Sequence, residues 1–117
     1  MSQNARLRSP VDFRAVYIKG RRLEGRLVTV FILPNGLEQH RLGITASRKM
    51  SRRAVDRNRA KRLIREAFRL NKPELSTFKN MYDWVFNARR PIFEEKVDTV
   101  VKELQLVFEK VIQNELR

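Results

Sequence analysis

The chain reads as an α+β protein, a two-layer sandwich of element order α-β-β-β-α-β-α. Three observations predict it. Residues 23–33, 41–49 and 82–88 are rich in Val, Ile, Thr and aromatics with period-two alternation. Residues 56–71 and 93–116 carry apolar stripes of helical period. A Ser-Pro start signal precedes a third, shorter helix near residue 10. Helices and strands mixed in this order pack as helices on an antiparallel-rich sheet. At 117 residues the chain suits one domain, residues 1–117, with a modest core. Residues 1–8 are polar and basic and are expected to be mobile.

Ser9 reads as the N-cap of the first helix, with Pro10 at the first helical position and Asp12 at the third. The helix should run to about Ile18 and stop near Gly20. Its wheel is two-sided: Val11, Ala15 and Ile18 on one side, Phe13, Val16 and Tyr17 on the other. Either one apolar face lines a groove, or the helix is buried on both sides between layers. In residues 23–33, Val28, Val30 and Ile32 alternate against Leu27, Thr29, Phe31 and Leu33. The first set supplies core. Pro34-Asn35-Gly36 is a turn signal. In residues 41–49, Leu42, Ile44 and Ala46 face one way, and Arg41, Gly43, Thr45, Ser47 and Lys49 the other. That second face is small and polar with basic ends. It is either a floor for a nucleic-acid backbone or an ordinary solvated sheet face.

The helix over residues 56–71 buries Ala60, Leu63, Ile64, Ala67 and Phe68 on one face. Asn58, Arg62, Arg65 and Arg69 fall opposite, flanked by Arg59 and Lys61. Pro73 stops it. Tyr82, Trp84 and Phe86 belong to the last strand, with Trp84 read as core rather than as a stacking platform. Arg89-Arg90-Pro91 ends that strand. In the last helix Val97, Val100, Val101, Leu104, Val107, Phe108, Val111 and Ile112 form a continuous core stripe, with Glu94 and Glu95 near the positive dipole end.

Charge selects the class of partner. The formal net charge is +13 and the pI about 11.2. Residues 1–71 hold 18 Lys/Arg against 5 Asp/Glu, whereas residues 72–117 hold 8 of each. A polyanion site therefore belongs to the first two-thirds, with nucleic acid ahead of an anionic membrane. Residues 47–69 concentrate ten Lys/Arg against Asp56 and Glu66. A merely solvated helix face would alternate signs at i,i+4. Guanidinium groups in a row grip phosphate oxygens in pairs.

The chain has no Cys, so no disulfide framework or thiolate site. His40 is alone and reads as a surface residue. There is no apolar run of the ~20 residues a membrane span needs and no apolar signal core, so a cytoplasmic protein is expected. Neither a catalytic constellation, a metal cluster nor a Gly-rich phosphate loop is visible.

Arg57-Asn58-Arg59-x-Lys61-Arg62-x-x-Arg65-Glu66 resembles the signature of the bacterial ribonuclease P protein family. Three collinear satellites resemble it too: Arg6-Leu7-Arg8 with Asp12-Phe13, Leu42-Gly43-Ile44 with Ser47-Arg48-Lys49, and Ala88-Arg89-Arg90-Pro91. The resemblance spans roughly residues 6–110. Arg52-Arg53 departs from it, standing where many relatives have a shorter turn with Gly. The resemblance implies a ribosomal-protein-like fold with a left-handed β-α-β crossover around the signature helix, an exception to the usual hand. It implies the protein subunit of a ribonucleoprotein that removes the 5′ leader from precursor tRNA, the RNA subunit performing the hydrolysis with Mg²⁺ that it mainly binds itself.

On that resemblance, the contacts to the catalytic RNA are Arg48, Lys49, Arg52, Arg53, Arg57, Asn58, Arg59, Lys61, Arg62, Arg65 and Arg69. The single-stranded leader is expected in a cleft between the first helix and the sheet, with Phe13, Tyr17, Thr29, Phe31, Ser47 and Arg89 around it. Aromatic faces stack unpaired bases without fixed sequence. No metal is expected in the protein, and neither DNA nor membrane as partner; a monomer within the holoenzyme is expected. A general ribosomal-type RNA-binding protein would share the charge but not need the satellites. A helix-turn-helix DNA binder would need a short helix before residue 57, where strand and turn are read instead.

Overall fold

The computed structural model describes residues 6–116. Helix α1 is Pro10–Lys19, followed by strands β1 (Arg21–Glu24), β2 (Val28–Pro34) and β3 (Arg41–Thr45). Helix α2 (Ala54–Leu70) and the single-turn α3 (Lys72–Leu75) lead to β4 (Tyr82–Ala88). A 3-10 turn, Arg90–Glu94, precedes α4 (Val97–Glu115). The sheet order is β1-β2-β4-β3. β1 and β4 pair antiparallel with β2, while β3 runs parallel to β4 and is joined to it across α2. The element order matches the expectation, with α3 and the 3-10 turn added.

One sheet face carries the main core. Val28, Val30, Ile32, Leu42, Trp84 and Phe86 meet Ala60, Ile64, Ala67 and Phe68 of α2 and Val100, Leu104, Val107, Phe108 and Val111 of α4. Trp84 and Phe86 are fully buried, stacked at 6.2 Å, and Trp84 meets Phe108 edge-on at 5.0 Å. The stripes of α2 and α4 are therefore core, and Trp84 is no stacking platform. The other face carries α1 over a smaller cluster of Leu7, Val16 and Val85, with Phe13, Phe31 and Leu33 at its margin.

The ambiguity of α1 resolves here. Val11 and Ile18 are 71% and 72% exposed, so the helix docks through its Phe13–Val16–Tyr17 side only. Ser9 caps it by accepting from the Val11 N–H at 3.1 Å. At the sheet, Phe13 sits on Gly43, where an added Cβ would lie 2.5 Å from the ring. Arg41 clamps the N-terminal end of α1. It donates twice to Asp83, at 2.8 and 2.7 Å, and lies 3.5 Å from Asp12.

Four readings change. The β-rich stretch 23–33 is two strands, broken at Gly25–Leu27 into a hairpin. The strand over 41–49 stops at Thr45, and Ser47 to Met50 form a turn closed by the Met50 N–H to Ser47 carbonyl bond. The last helix begins at Val97, because residues 90–94 wind as a 3-10 turn after Arg89. His40 is not a free surface side chain. Its Nδ1 accepts the Tyr82 backbone N–H at 3.0 Å and the Trp84 Nε1–H at 3.1 Å, beside the ring of Phe78. Mobility expected over residues 1–8 lies partly outside the described residues. Where they are described, Leu7 is buried and its N–H bonds the Leu42 carbonyl at 3.0 Å, extending the β3 edge.

Candidate nucleic-acid interface

The loop between β3 and α2 is polar and basic, with Ala46 at its start packed against the main core. Its backbone is held locally. The Ser51 hydroxyl accepts the Arg53 N–H at 3.2 Å and donates to Asp56 at 3.2 Å, and Arg57 donates to the Ser51 carbonyl at 2.9 Å. From across the fold Arg90 donates to the Lys49 carbonyl at 3.0 Å. These ties gather Arg48, Lys49, Arg52, Arg57 and Arg90 around one open concavity of 810 Å³, with Met50 and Ser51 in its wall. Five cations around one hollow repel one another and favour an anion among them. Phosphate, like carboxylate, presents oxygens that match the guanidinium fork.

The remaining cations of the signature helix take different positions. Arg62 is exposed on its outer face, as is Asn58, and Lys61 is half-buried. Arg53 stands 3.9 Å from Asp56, and Arg69 is paired with Glu66 on the surface. The Arg69 contact holds the Glu66 carboxyl below its usual range. Arg65 turns toward α1, lining a smaller depression of 220 Å³ with Arg6, Arg8, Phe13 and Gly43. Arg59 faces the protein: its guanidinium donates to the Phe93 carbonyl at 3.1 Å and the Glu95 carbonyl at 2.8 Å, fixing the 3-10 turn. A single row of guanidinium groups, as drawn on the wheel, is thus divided among three surroundings.

A second surface lies beside α1. Tyr17 is 38% exposed, and its ring stands edge-on to Phe31 at 4.9 Å. The Tyr17 hydroxyl donates to Asn87 Oδ1 at 2.8 Å, and the Thr45 hydroxyl donates to the same atom at 2.7 Å. Thr29 is paired with Asn87 in the sheet and is almost covered. The Arg22 guanidinium lies 5.9 Å over the Phe31 ring. Arg89 continues the Val85–Asn87 side of β4 and donates to the Gly25 carbonyl at 2.9 Å. The result is a shallow polar strip with an aromatic wall: Tyr17, Phe31, Thr45, Asn87 and Arg89. Ser47 is exposed in the turn just beyond Thr45. Phe13 is not part of the open wall, since it is wedged against Gly43 and the Leu7–Val85 cluster.

Some members of these surfaces went unread in the sequence. Asn87 holds the strip together, and only its odd position beside Val85, away from Trp84 and Phe86, hinted at this. Arg90 joins the basic hollow although its neighbour Arg89 was the one singled out. Arg6 and Arg8 meet Arg65 through the chain's return along β3.

Comparison with known proteins identifies the family. The family model described as Ribonuclease P matches residues 1–112. A ribonuclease P protein component from Methylococcus capsulatus is 49% identical over 86 residues, which is 74% of this chain and 64% of that relative's length. The solved structure of the Staphylococcus aureus RNase P protein has a TM-score of 0.76 at 30% identity, covering 92% of this chain and 94% of that one. The RNase P protein from Thermotoga maritima gives 0.77 at 30% identity, covering 90% and 96%. A family-model match over residues 1–112 and a matching fold over nearly the whole length have one common explanation: this chain belongs to the ribonuclease P protein family.

Proposed function

We propose that the two surfaces divide the RNA between them. As a ribonuclease P protein component, the chain is an accessory subunit in tRNA 5′ maturation, and hydrolysis belongs to the RNA subunit. The basic hollow and the outer face of α2, with Arg62 at its centre, grip the catalytic RNA. The strip beside Tyr17 receives the unpaired leader of precursor tRNA. Tyr17 and Phe31 stack bases, while Arg22 and Arg89 meet the backbone.

The observation that carries this is the convergence of Arg48, Lys49, Arg52, Arg57 and Arg90, brought from two separate stretches of chain to one hollow. Such a concentration of charge matches a folded RNA backbone better than it matches a small ligand. Among the described residues no group of three His, Asp or Glu side chains could hold a metal ion. The family resemblance, and not this absence, is the ground for assigning Mg²⁺ to the RNA, where the protein's charge lowers the repulsion between phosphates and eases occupancy. None of the described helices is long and apolar enough to cross a membrane. A monomer within a cytoplasmic holoenzyme fits this reading.

Reconstitution tests it. Rigorously RNA-free protein should cleave no precursor. Added to the catalytic RNA, it should restore leader removal at Mg²⁺ concentrations where RNA alone fails. Cleavage by the protein alone, or no rescue at low Mg²⁺, overturns the reading.

A further inference from the structure

The hairpin between β1 and β2 has no Asn-Gly or Asp-Gly turn of its own. It is shaped from outside. Glu103 of α4 accepts three consecutive backbone N–H groups: Arg26 at 3.0 Å, Leu27 at 2.9 Å and Val28 at 2.9 Å. A carboxylate in such a nest of donors is held by charge-assisted bonds. The fit is close. A Cβ on Gly25 would lie 2.6 Å from Glu103 Oε2, so only glycine leaves room for the carboxylate. The same turn then holds Arg89. The Leu27 carbonyl accepts the Arg89 N–H at 2.9 Å, and the Gly25 carbonyl accepts the Arg89 guanidinium, also at 2.9 Å. Glu103 thus reaches from the core-side helix around the end of the sheet. It sets the two carbonyls that hold Arg89, one at its N–H and one at its guanidinium, which also lies 4.0 Å from Glu24 of β1.

The geometry points to Glu103 as a positioning residue for the leader: it acts through the 25–28 turn and Arg89 without touching RNA. This rests on the reading of the strip as the leader's site. The remote position of Glu103, 76 residues from Leu27, makes a relay the natural description. Gln at 103 keeps the size but removes the charge and turns an NH₂ group toward the nest.

The test is a double-mutant cycle on the reconstituted holoenzyme, with Glu103→Gln, Arg89→Ala and the double variant. The readout is the ratio of affinities for leader-bearing precursor and mature tRNA, with affinity for the catalytic RNA measured alongside. Arg89→Ala should lower the ratio roughly ten- to 150-fold, the scale of one charge-assisted contact. Glu103→Gln should lower it in the same direction. The double variant should be no worse than Arg89→Ala, and catalytic-RNA affinity should hold in all three. Gly25→Ala, which displaces the carboxylate without removing it, should repeat the Glu103→Gln effect and stands in for it if that variant does not fold. If Arg89→Ala lowers the ratio but Glu103→Gln and Gly25→Ala leave it unchanged, the relay is wrong and the leader site stands. Losses that multiply in the double variant, or a parallel loss of catalytic-RNA affinity, also refute the relay. If Arg89→Ala itself leaves the ratio unchanged, Arg89 is no leader contact and both readings of it fall.

Discussion

The hydroxyl of Tyr17 donates to Asn87 Oδ1 at 2.8 Å, tying the open side of α1 to the central strand β4. One turn earlier, Phe13 is wedged over Gly43. The two aromatics, equivalent on a helical wheel, therefore have unequal roles. Phe13→Ala should cost about 2–4 kcal/mol, toward the lower part of the range for large-to-small core changes because the ring is only half-buried. Tyr17→Ala removes one hydrogen bond and an exposed ring and should cost about 1 kcal/mol. Chemical denaturation of both variants checks this. Equal losses would mean that both rings are core.

On the signature helix three positions should separate. Ile64 is fully buried, so Ile64→Ala should destabilise by about 2–5 kcal/mol. Arg62 is exposed, so Arg62→Ala should leave thermal stability unchanged and weaken binding to the catalytic RNA. Arg59→Ala leaves the Phe93 and Glu95 carbonyls without their donor and should cost about 1–3 kcal/mol. A melting temperature for Arg59→Ala equal to that of Arg62→Ala would contradict the division.

Salt should report the number of phosphates held. About six contacts from the loop and α2 give a log-log slope near −4 to −5 for the catalytic RNA, at roughly −0.7 to −0.9 per phosphate. Filter binding across a salt series measures it. A slope near −1 would remove the electrostatic account.

Acid should weaken the fold through His40. Burial holds its imidazole below the usual 6.5, only partly opposed by hydrogen bonding to the Leu75 backbone and, more weakly, by the charge of Glu115. The Nδ1 acceptor of two N–H donors cannot bind a proton without losing them. The unfolded chain thus takes up the proton first. Stability is whole above pH 6.5 and falls as pH drops from there toward the depressed folded value, with a limiting slope of about 1.36 kcal/mol per pH unit. His40→Asn, which offers an acceptor that does not titrate, should flatten this slope between pH 6.5 and 5. An unchanged slope in the variant would place the acid sensitivity elsewhere.

Local pattern carried much of the fold. Ser9 and Pro10 set the start of α1, the stripes of α2 and α4 lie on the core, and the span Tyr82–Ala88 is the strand its alternation predicts. What local pattern could not carry were features made by distant partners. The hairpin at Gly25 depends on Glu103, the state of His40 on Tyr82 and Trp84, and the direction of Arg59 on the carbonyls of residues 93 and 95. A wheel ranks Arg59 beside Arg62, yet the 3-10 turn pulls one inward and leaves the other in solvent. Charge counting located the basic region, but only the folded chain brings Arg90 to the hollow of Arg48 and Arg57.

The division of the RNA between two surfaces is tested most directly in one assay. Affinities of reconstituted holoenzyme for leader-bearing precursor and for mature tRNA are compared in wild type, Tyr17→Ala and Arg62→Ala, with affinity for the catalytic RNA measured in parallel. Tyr17→Ala should lower the precursor-to-mature ratio roughly five- to a hundred-fold, the scale of one stacked base, at unchanged assembly. Arg62→Ala should weaken assembly and leave the ratio as it is. If each variant, while folded, loses both properties in proportion, the two surfaces are one site and the account is contradicted.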